Sequence, residues 1–184
     1  PDEDWEFKWR EGLGPIEIGE RVVVRPSWVS YENDDDGAEV VIDPKMAFGT
    51  GNHATTVLCL EMIEQLPVKG TSVLDAGCGS GVLSIAAAKC GATSVYGFDH
   101  DHFSVENARE NISINSVTCV VTIEQCSLES VVAGRHDIVF ANMISGVLIP
   151  NIQLFHTFLV EDGRIVFSGI LAEEENMFRA ACEQ

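Results

Sequence analysis

A glycine-rich turn between an apolar run and a helical stretch constrains the fold of this chain more than any other sequence feature. Residues 73–81 read V-L-D-A-G-C-G-S-G, and the pattern of Val82–Lys89 predicts a helix immediately afterwards. A strand, a glycine turn and a helix in this order let the backbone approach a nucleotide-like ligand at the helix N-terminus. Dinucleotide sites carry G-x-G-x-x-G, whereas Val82 stands here where the last glycine of that motif would be. The turn therefore favours another nucleotide-like ligand, and a glycine-rich turn of an unrelated α/β protein stays as the alternative.

An acidic residue that could bind a ribose lies at the end of the next predicted strand. Asp99 follows the β-type run Ser94–Phe98 and lies 22 residues after Gly77. This is close to the interval of about 20 residues between the glycine turn and the ribose carboxylate in a βαβ unit. A carboxylate at this place can accept hydrogen bonds from both ribose hydroxyls. Asp101 is the competing candidate, but the helical pattern that follows it indicates a helix N-terminal residue.

Strand-like and helix-like segments alternate after residue 55, which predicts parallel βαβ units and a doubly wound, mostly parallel sheet. The predicted strands are 72–76, 94–99, 118–123, 137–141 and 164–168, and the predicted helices are 55–66, 81–90, 102–113, 147–159 and 172–182. Short β-type runs at 16–18, 21–25 and 39–42 predict a small antiparallel element ahead of this sheet. Asn142, after the fourth strand, is expected beside the first strand, where the strand order reverses and ligands bind. A helix-capping role for Asn142 is the alternative.

Composition limits both the partners and the chemistry. The 184-residue chain is long enough for one buried core, and its formal net charge of −18 disfavours nucleic acid and favours a basic acceptor. Its apolar runs are too short to span a membrane and its start is acidic, so we expect a soluble intracellular protein. The six cysteines show neither C-x-x-C nor a histidine spacing that closes a metal site, which predicts reduced thiols and no metal. We expect Cys78 to pack beneath the glycine turn and His53 to shape its loop, rather than to act as nucleophile and base.

A longer motif lies upstream of the glycine turn. Residues 43–56 read D-P-K-M-A-F-G-T-G-N-H-A-T-T, and the chain later carries A-N at 141–142 and S-G-I-L at 168–171. Together with the glycine turn, these motifs resemble the PrmA family, the class I S-adenosylmethionine-dependent methyltransferases of ribosomal protein L11. The likeness runs from Trp5 to the end of the chain. It implies a Rossmann-like class I methyltransferase fold with S-adenosyl-L-methionine as cofactor and S-adenosyl-L-homocysteine as product.

The resemblance also implies a set of site residues. Asn142 would be the catalytic residue as well as a donor contact, and the 48–51 loop would fold over the methionine end of the donor. The turn at 126–128 occupies the place where backbone amides are expected to contact adenine, with Glu129 as a weaker candidate. The predicted cofactor-binding residues are Phe48, Gly49, Thr50, Gly51, Thr56, Asp75, Gly77, Gly79, Asp99, Ser127, Leu128 and Asn142.

Two departures from the family pattern bear on the substrate and on the domain boundaries. Met143-Ile144-Ser145 stands where the family usually has Ile-Leu-Ala, which alters the expected wall of the methyl-acceptor pocket. The chain starts at Pro1 near the linker that follows the family's substrate-recognition domain, and it ends before the usual final β-hairpin. We therefore expect residues 1–44 to form a linker and the small antiparallel element. Residues 45–184 are expected to form the methyltransferase catalytic domain, C-terminally incomplete and without the final β-hairpin.

Together with this resemblance, these observations predict a cytoplasmic protein N-methyltransferase that acts on lysine side chains or α-amino groups. That the acceptor is a ribosomal protein, L11, is implied by the resemblance alone. A lysine with a reference pKa near 10.4 is neutral at pH 7 only at a cost of about 4.6 kcal/mol, so a desolvated pocket beside the sulfonium matters more than a strong base. A related protein-lysine methyltransferase with another target and a donor-binding domain without catalysis are the alternatives. The presence of Thr56, Gly77, Asp99 and Asn142 together argues against a loss of donor binding.

Overall fold

The computed structural model describes residues 14–32, 37–43 and 51–183. Three of the predicted donor contacts, Phe48, Gly49 and Thr50, lie outside the described residues.

A small three-stranded sheet comes first in the described chain. Its strands are β1 (Ile16–Ile18), β2 (Val22–Arg25) and β3 (Ala38–Val41), in that order. β1 and β2 form the predicted antiparallel pair, whereas β3 runs parallel to β2, with Val22 opposite Ala38. The parallel pairing is possible because the long 26–37 connection returns the chain to the start of β2.

Five further strands form the central sheet, and every neighbouring pair is parallel. They are β4 (Ser72–Ala76), β5 (Ser94–Asp99), β6 (Val121–Gln125), β7 (His136–Asn142) and β8 (Leu159–Ser168), in the order β6-β5-β4-β7-β8. The predicted doubly wound sheet is therefore confirmed. β4 and β7 are neighbours, with Ala76 opposite Ala141, so the strand order reverses between them and their carboxyl ends lie side by side.

Helices follow the strands as predicted, with one interruption. The helices are α1 (Ala54–Gln65), α2 (Val82–Lys89), α3 (His102–Ile114), α4 (Ser145–Leu148), α5 (Ile152–Thr157) and α6 (Glu175–Cys182). The single helix predicted over 147–159 is wrong, because a 3₁₀ turn at Ile149–Asn151 separates α4 from α5. Pro150 lies in the first turn of this 3₁₀ segment, where its missing N–H and fixed φ are tolerated. In the interior of a continuous helix the same residue would remove a hydrogen bond and clash with the preceding turn.

Two strand boundaries also differ from the prediction. β6 begins at Val121 rather than at 118, because the N–H groups of Val120 and Val121 both donate to the Val117 carbonyl and hold a turn there. β8 begins at Leu159 rather than at 164, because Leu159 pairs with His136 before an irregularity in the register. The first correction comes from a local turn, whereas the second comes from pairing with a residue distant in sequence, which a local pattern does not contain.

The central sheet builds an apolar core on each face, because successive strand residues point to opposite sides. In β4, Val73 belongs to the core beneath α1 and α2, and Leu74 belongs to the opposite core, around Phe155. The small sheet contributes Val24 and Val40 to the first of these cores, and both side chains are fully buried. Burying such a side chain contributes about 1.5–3 kcal/mol to the free energy of folding. The apolar face of the small sheet therefore holds it against the helices.

Candidate functional site

The glycine turn connects β4 to α2 and requires left-handed backbone at three glycines. Gly77, Gly79 and Gly81 have φ angles of 70°, 52° and 82°, which residues with a Cβ adopt at a cost of roughly 1–2 kcal/mol each. The N–H groups of Gly77 and Cys78 donate to the Phe98 carbonyl, both at 2.9 Å, and fix the turn to the end of β5. The turn is therefore held in place from a neighbouring strand.

Asp75 is buried next to this turn, beside the start of α2. Its Oδ2 accepts hydrogen bonds from the backbone N–H of Ser84 at 3.0 Å and from Ser84 Oγ at 2.6 Å, in the first turn of α2. Burial raises the pKa of Asp75 to about 6, while the hydrogen bonds from Ser84 act in the opposite direction. Asp75, which was predicted as a donor contact, therefore connects β4 to α2 through these hydrogen bonds.

Asp99 lies at the end of β5 and faces the glycine turn. Its Oδ2 accepts from the Gly79 N–H at 3.0 Å, and its Oδ1 accepts from the Asp101 N–H at 3.0 Å. Only 8% of Asp99 is exposed, yet the residue lines a cavity. A carboxylate has about four acceptor positions, so these two amides leave capacity for a ligand.

Asp101 has the helix N-terminal role that the sequence predicted. Its Oδ2 accepts from the Ser104 N–H at 2.9 Å and from Ser104 Oγ at 3.0 Å, and it is the N-cap of α3. These hydrogen bonds lower the pKa of the Asp101 carboxyl. The two neighbouring acids therefore differ in function, because one caps a helix and the other faces the turn.

A cavity of about 530 Å³, the turn cavity, opens above the glycine turn at the carboxyl ends of the strands. This volume is within the range of small-molecule sites. Six predicted donor contacts line it, and they are Gly77, Gly79, Asp99, Ser127, Leu128 and Asn142. Other lining residues were not predicted from the sequence, among them Phe98, Ser104 and Val147, although Phe98 is next to the predicted Asp99.

The turn after β6 contributes one wall of the turn cavity. Ser127 and Leu128 both lie there, and Leu128 is buried. The Ser127 N–H already donates to Ser130 Oγ at 3.1 Å, so this amide is engaged within the protein. Glu129, the weaker candidate, also lines the cavity.

Asn142 lies at the carboxyl end of β7, opposite the glycine turn. Its Nδ2 approaches Thr56 Oγ1 at 3.4 Å, and Thr56 is buried in the first turn of α1. The alternative role of Asn142 as a helix cap is wrong, because Ile144 is the N-cap of α4. The predicted pair of Thr56 and Asn142 is thus brought together across 86 residues of sequence.

A second cavity of about 480 Å³, the adjacent cavity, meets the turn cavity at Asn142 and Met143. Its other walls come from the start of α1, from residues 144–146 and from the 169–174 segment. Glu174 lies on this wall and accepts from Ser145 Oγ at 2.7 Å and from the Leu171 N–H at 3.1 Å. These hydrogen bonds lower the pKa of Glu174, so the wall carries a negative charge.

Three neighbouring residues of the motif regions have structural roles. His53 is the N-cap of α1, with its Nδ1 2.8 Å from Thr55 Oγ1, as its predicted loop-shaping role requires. Gly51 has a φ of 91°, and a Cβ there would lie 2.9 Å from Val24 Cγ1, so this predicted donor contact packs on the small sheet. Cys78 is buried beneath the turn, and burial raises its pKa well above the ordinary value.

No cluster of potential metal ligands occurs in residues 14–32, 37–43 or 51–183. Within the same part of the chain, none of the helices combines the length and the apolar character needed to cross a bilayer. The six cysteines are free thiols.

The parallel strand order, the glycine turn after β4 and the acid after β5 define the fold class of the S-adenosylmethionine-dependent class I methyltransferases. Within this class, the chain belongs to the ribosomal protein L11 methyltransferase (PrmA) family, whose model matches residues 1–184. The predicted membership of this family is therefore confirmed.

Individual relatives of the chain are named as members of the same family. The chain is 37% identical over 184 residues to the ribosomal protein L11 methyltransferase of Bacillus subtilis, covering 100% of this chain and 59% of that one. It is 39% identical over 183 residues to that of Caldanaerobacter subterraneus, again covering 100% of this chain and 59% of that one. The crystal structure of the ribosomal protein L11 methylase from Lactobacillus delbrueckii is 34% identical, with a TM-score of 0.85, covering 92% of this chain and 86% of that one. The chain thus spans 59% of the length of these curated relatives.

Proposed function

We propose that this chain binds S-adenosylmethionine in the turn cavity and transfers its methyl group to an amine held in the adjacent cavity. The observation that carries the proposal is that two ligand-sized cavities meet at Asn142 and Met143. Asp99 would accept hydrogen bonds from the ribose hydroxyls through the lone pairs that Gly79 and Asp101 leave unused. Adenine would lie toward Leu128, and the reacting methyl group toward Asn142.

Transfer would proceed by in-line displacement. The amine nitrogen forms the N–C bond with its lone pair while the C–S bond breaks, and the bonding electrons stay on sulfur in S-adenosylhomocysteine. Asn142 directs its Nδ2 at Thr56, which leaves Oδ1 to accept an N–H of the amine and aim the lone pair at the methyl group. Asn142 would therefore be the catalytic residue, and Thr56 would orient it.

The amine must lose a proton before it attacks. For a lysine this costs about 4.6 kcal/mol at pH 7, and both desolvation and the neighbouring sulfonium reduce that cost. Asp75, whose pKa is about 6, would suit a base by its pKa, but it is buried and bound by Ser84 next to the turn. The scheme therefore depends on positioning and desolvation rather than on a strong base.

The proposed substrate is a ribosomal protein in the cytoplasm, L11 first, methylated on lysine side chains or on the α-amino group. The names of the relatives support L11, and the net charge of −18 attracts a basic protein while it repels nucleic acid and anionic membrane surfaces. Glu174 adds a negative charge to the adjacent cavity, where a cationic amine would enter. A protein-lysine methyltransferase with another target is the second candidate, because Met143, Ile144 and Ser145 line that cavity.

Two measurements test the proposal in sequence. Calorimetric titration should give saturable binding of S-adenosylmethionine and S-adenosylhomocysteine, and no binding of NAD at the same concentrations. Transfer of a labelled methyl group to purified L11 should then exceed transfer to L11 whose amines have been reductively dimethylated. Binding of NAD alone would refute the donor assignment. Donor binding with labelling of another ribosomal protein in place of L11 would favour the second candidate.

A further inference from the structure

Three asparagines form a buried polar row between α3 and the small sheet. Asn107, Asn111 and Asn115 are spaced by four residues, so they lie on one face of the helix, and they are only 2%, 0% and 5% exposed. Buried amides are unfavourable unless they are hydrogen-bonded, and both Asn111 and Asn115 use their amide oxygen and nitrogen, whereas Asn107 Oδ1 is buried without a hydrogen-bond partner.

The row satisfies the free edge of β3. Asn115 accepts from the Val41 N–H at 2.9 Å and donates to the Val41 carbonyl at 2.6 Å, as a neighbouring strand would. One helical turn earlier, Asn111 Oδ1 accepts from the Asp43 N–H at 3.0 Å, and Asn107 Nδ2 donates to the Asp43 carbonyl at 3.1 Å. Side-chain amides thus replace a sheet partner for residues 41–43.

Asn111 differs from the other two because it also reaches the glycine turn. Its Nδ2 donates to the Ser80 carbonyl at 3.0 Å, and Ser80 is fully buried. Ser80 lies between Gly79, whose N–H binds Asp99, and Gly81, the N-cap of α2. A single side chain therefore connects the segment at Asp43 with the part of the turn that holds Asp99.

We infer that Asn111 is a positioning residue for the methyl donor, because it sets the glycine turn through the Ser80 carbonyl. The inference rests on the proposed donor site in the turn cavity. Asn115 is also buried, and its side chain makes three hydrogen bonds, two to Val41 and one to the Asn111 carbonyl, none of which reaches the turn. The two asparagines therefore separate donor positioning from general stability.

The test compares Asn111→Asp with Asn115→Asp in the full 184-residue chain. Aspartate has the same shape and keeps the acceptor oxygen, but it cannot donate to a carbonyl, so each variant loses its Nδ2 hydrogen bonds and gains a buried charge. The control is the harsher change for the helix, because Asn115 is its C-cap, where a negative charge opposes the macrodipole. S-adenosylhomocysteine binding is measured by calorimetry at a temperature where circular dichroism shows both variants folded.

We expect Asn111→Asp to raise the Kd for S-adenosylhomocysteine roughly tenfold or more, the scale of one buried hydrogen bond, and Asn115→Asp to change it less than about threefold. Equal changes in Kd, or no change for Asn111→Asp, would overturn the inference while leaving the proposed function intact. Failure of the wild-type chain itself to bind would overturn both.

A measurement on the wild-type chain covers the case in which a variant does not fold. The side-chain amide resonances of Asn111 and Asn115 are followed by NMR during titration with S-adenosylhomocysteine. We expect the Asn111 signals to shift and their exchange with water to slow, while the Asn115 signals stay unchanged. Equal responses of the two side chains, or a silent Asn111, would contradict the inference.

Discussion

Replacing Asp99 with asparagine tests the donor site most directly. The carboxylate holds the N–H groups of Gly79 and Asp101, each at 3.0 Å, and is expected to accept both ribose hydroxyls. Asparagine keeps one oxygen but presents an NH₂ group where the second oxygen was. That group would oppose either a backbone N–H or a ribose hydroxyl, so at least one charge-assisted hydrogen bond is lost and one donor faces another.

The expected loss follows from these contacts. Hydrogen bonds to charged groups contribute about 1.5–3 kcal/mol each, and disturbance of the second oxygen brings the total to about 2–4 kcal/mol. The Kd for S-adenosylhomocysteine should therefore rise roughly 30- to 900-fold. Isothermal titration calorimetry measures this range directly if the wild-type chain binds in the micromolar range or tighter.

Asp101→Asn is the matched control for Asp99→Asn. It removes the same charge two positions away, and asparagine is as good an N-cap as aspartate, so α3 should keep its first turn. We expect the control to change the Kd less than about threefold. Equal effects of the two variants would mean that only the total charge of the cavity matters, and the ribose assignment of Asp99 would be wrong.

Three further variants probe the turn, the catalytic amide and the buried acid. Gly77→Ala should weaken donor binding, because its Cβ would lie 2.7 Å from Met143 Cε and push that flexible side chain into the space where the two cavities meet, whereas Gly70→Ala, with a similar φ of 84° and no neighbour within 4 Å, should bind normally in the same titration. Asn142→Ala should slow methyl transfer at least about 100-fold while the melting temperature stays within a few degrees, and a parallel fall of both would contradict the catalytic role. Asp75 is an acid whose folded-state pKa is raised from 3.8 to about 6, so its contribution to stability is lost as pH rises between those values. Asp75→Asn should therefore gain about 2 kcal/mol of unfolding free energy relative to wild type between pH 4 and pH 7, and a pH-independent difference in urea unfolding would refute the shifted pKa.

The glycine turn and Asp99 could be predicted because their information is local. Three glycines after an apolar strand specify the turn, and the interval to Asp99 is fixed by one helix and one strand. The same holds for Asp101, whose helix begins at the next residue. The turn, Asp99 and the cap at Asp101 are therefore set by residues close in sequence and not by how the strands pair.

Other features depend on pairings that the local sequence does not contain. The parallel pairing of β3 with β2 and the early start of β8 are set by partners on other strands. The hydrogen bonds of Asn111 and Asn115 to the 41–43 segment span 68 and 74 residues, and nothing local distinguishes a buried asparagine from a solvated one. The break at Pro150 is different, because the proline was visible in the sequence and predicts a helix end by itself.

The confinement of Met143 has a consequence for chemical engineering of the site. The residue is a wall of both cavities and packs closely against two glycines. A Cβ added at Gly169 would lie 2.5 Å from the Met143 carbonyl oxygen, and one added at Gly77 would lie 2.7 Å from Met143 Cε. Trimming this one side chain to alanine would open space at the junction without touching Asp99 or Asn142. A sulfonium analogue that carries an allyl or propargyl group in place of methyl would fit that enlarged junction and not the native one. If the proposed methyl transfer is correct, Met143→Ala would then label its natural targets with an alkene or alkyne handle, so that they could be captured from a cell extract.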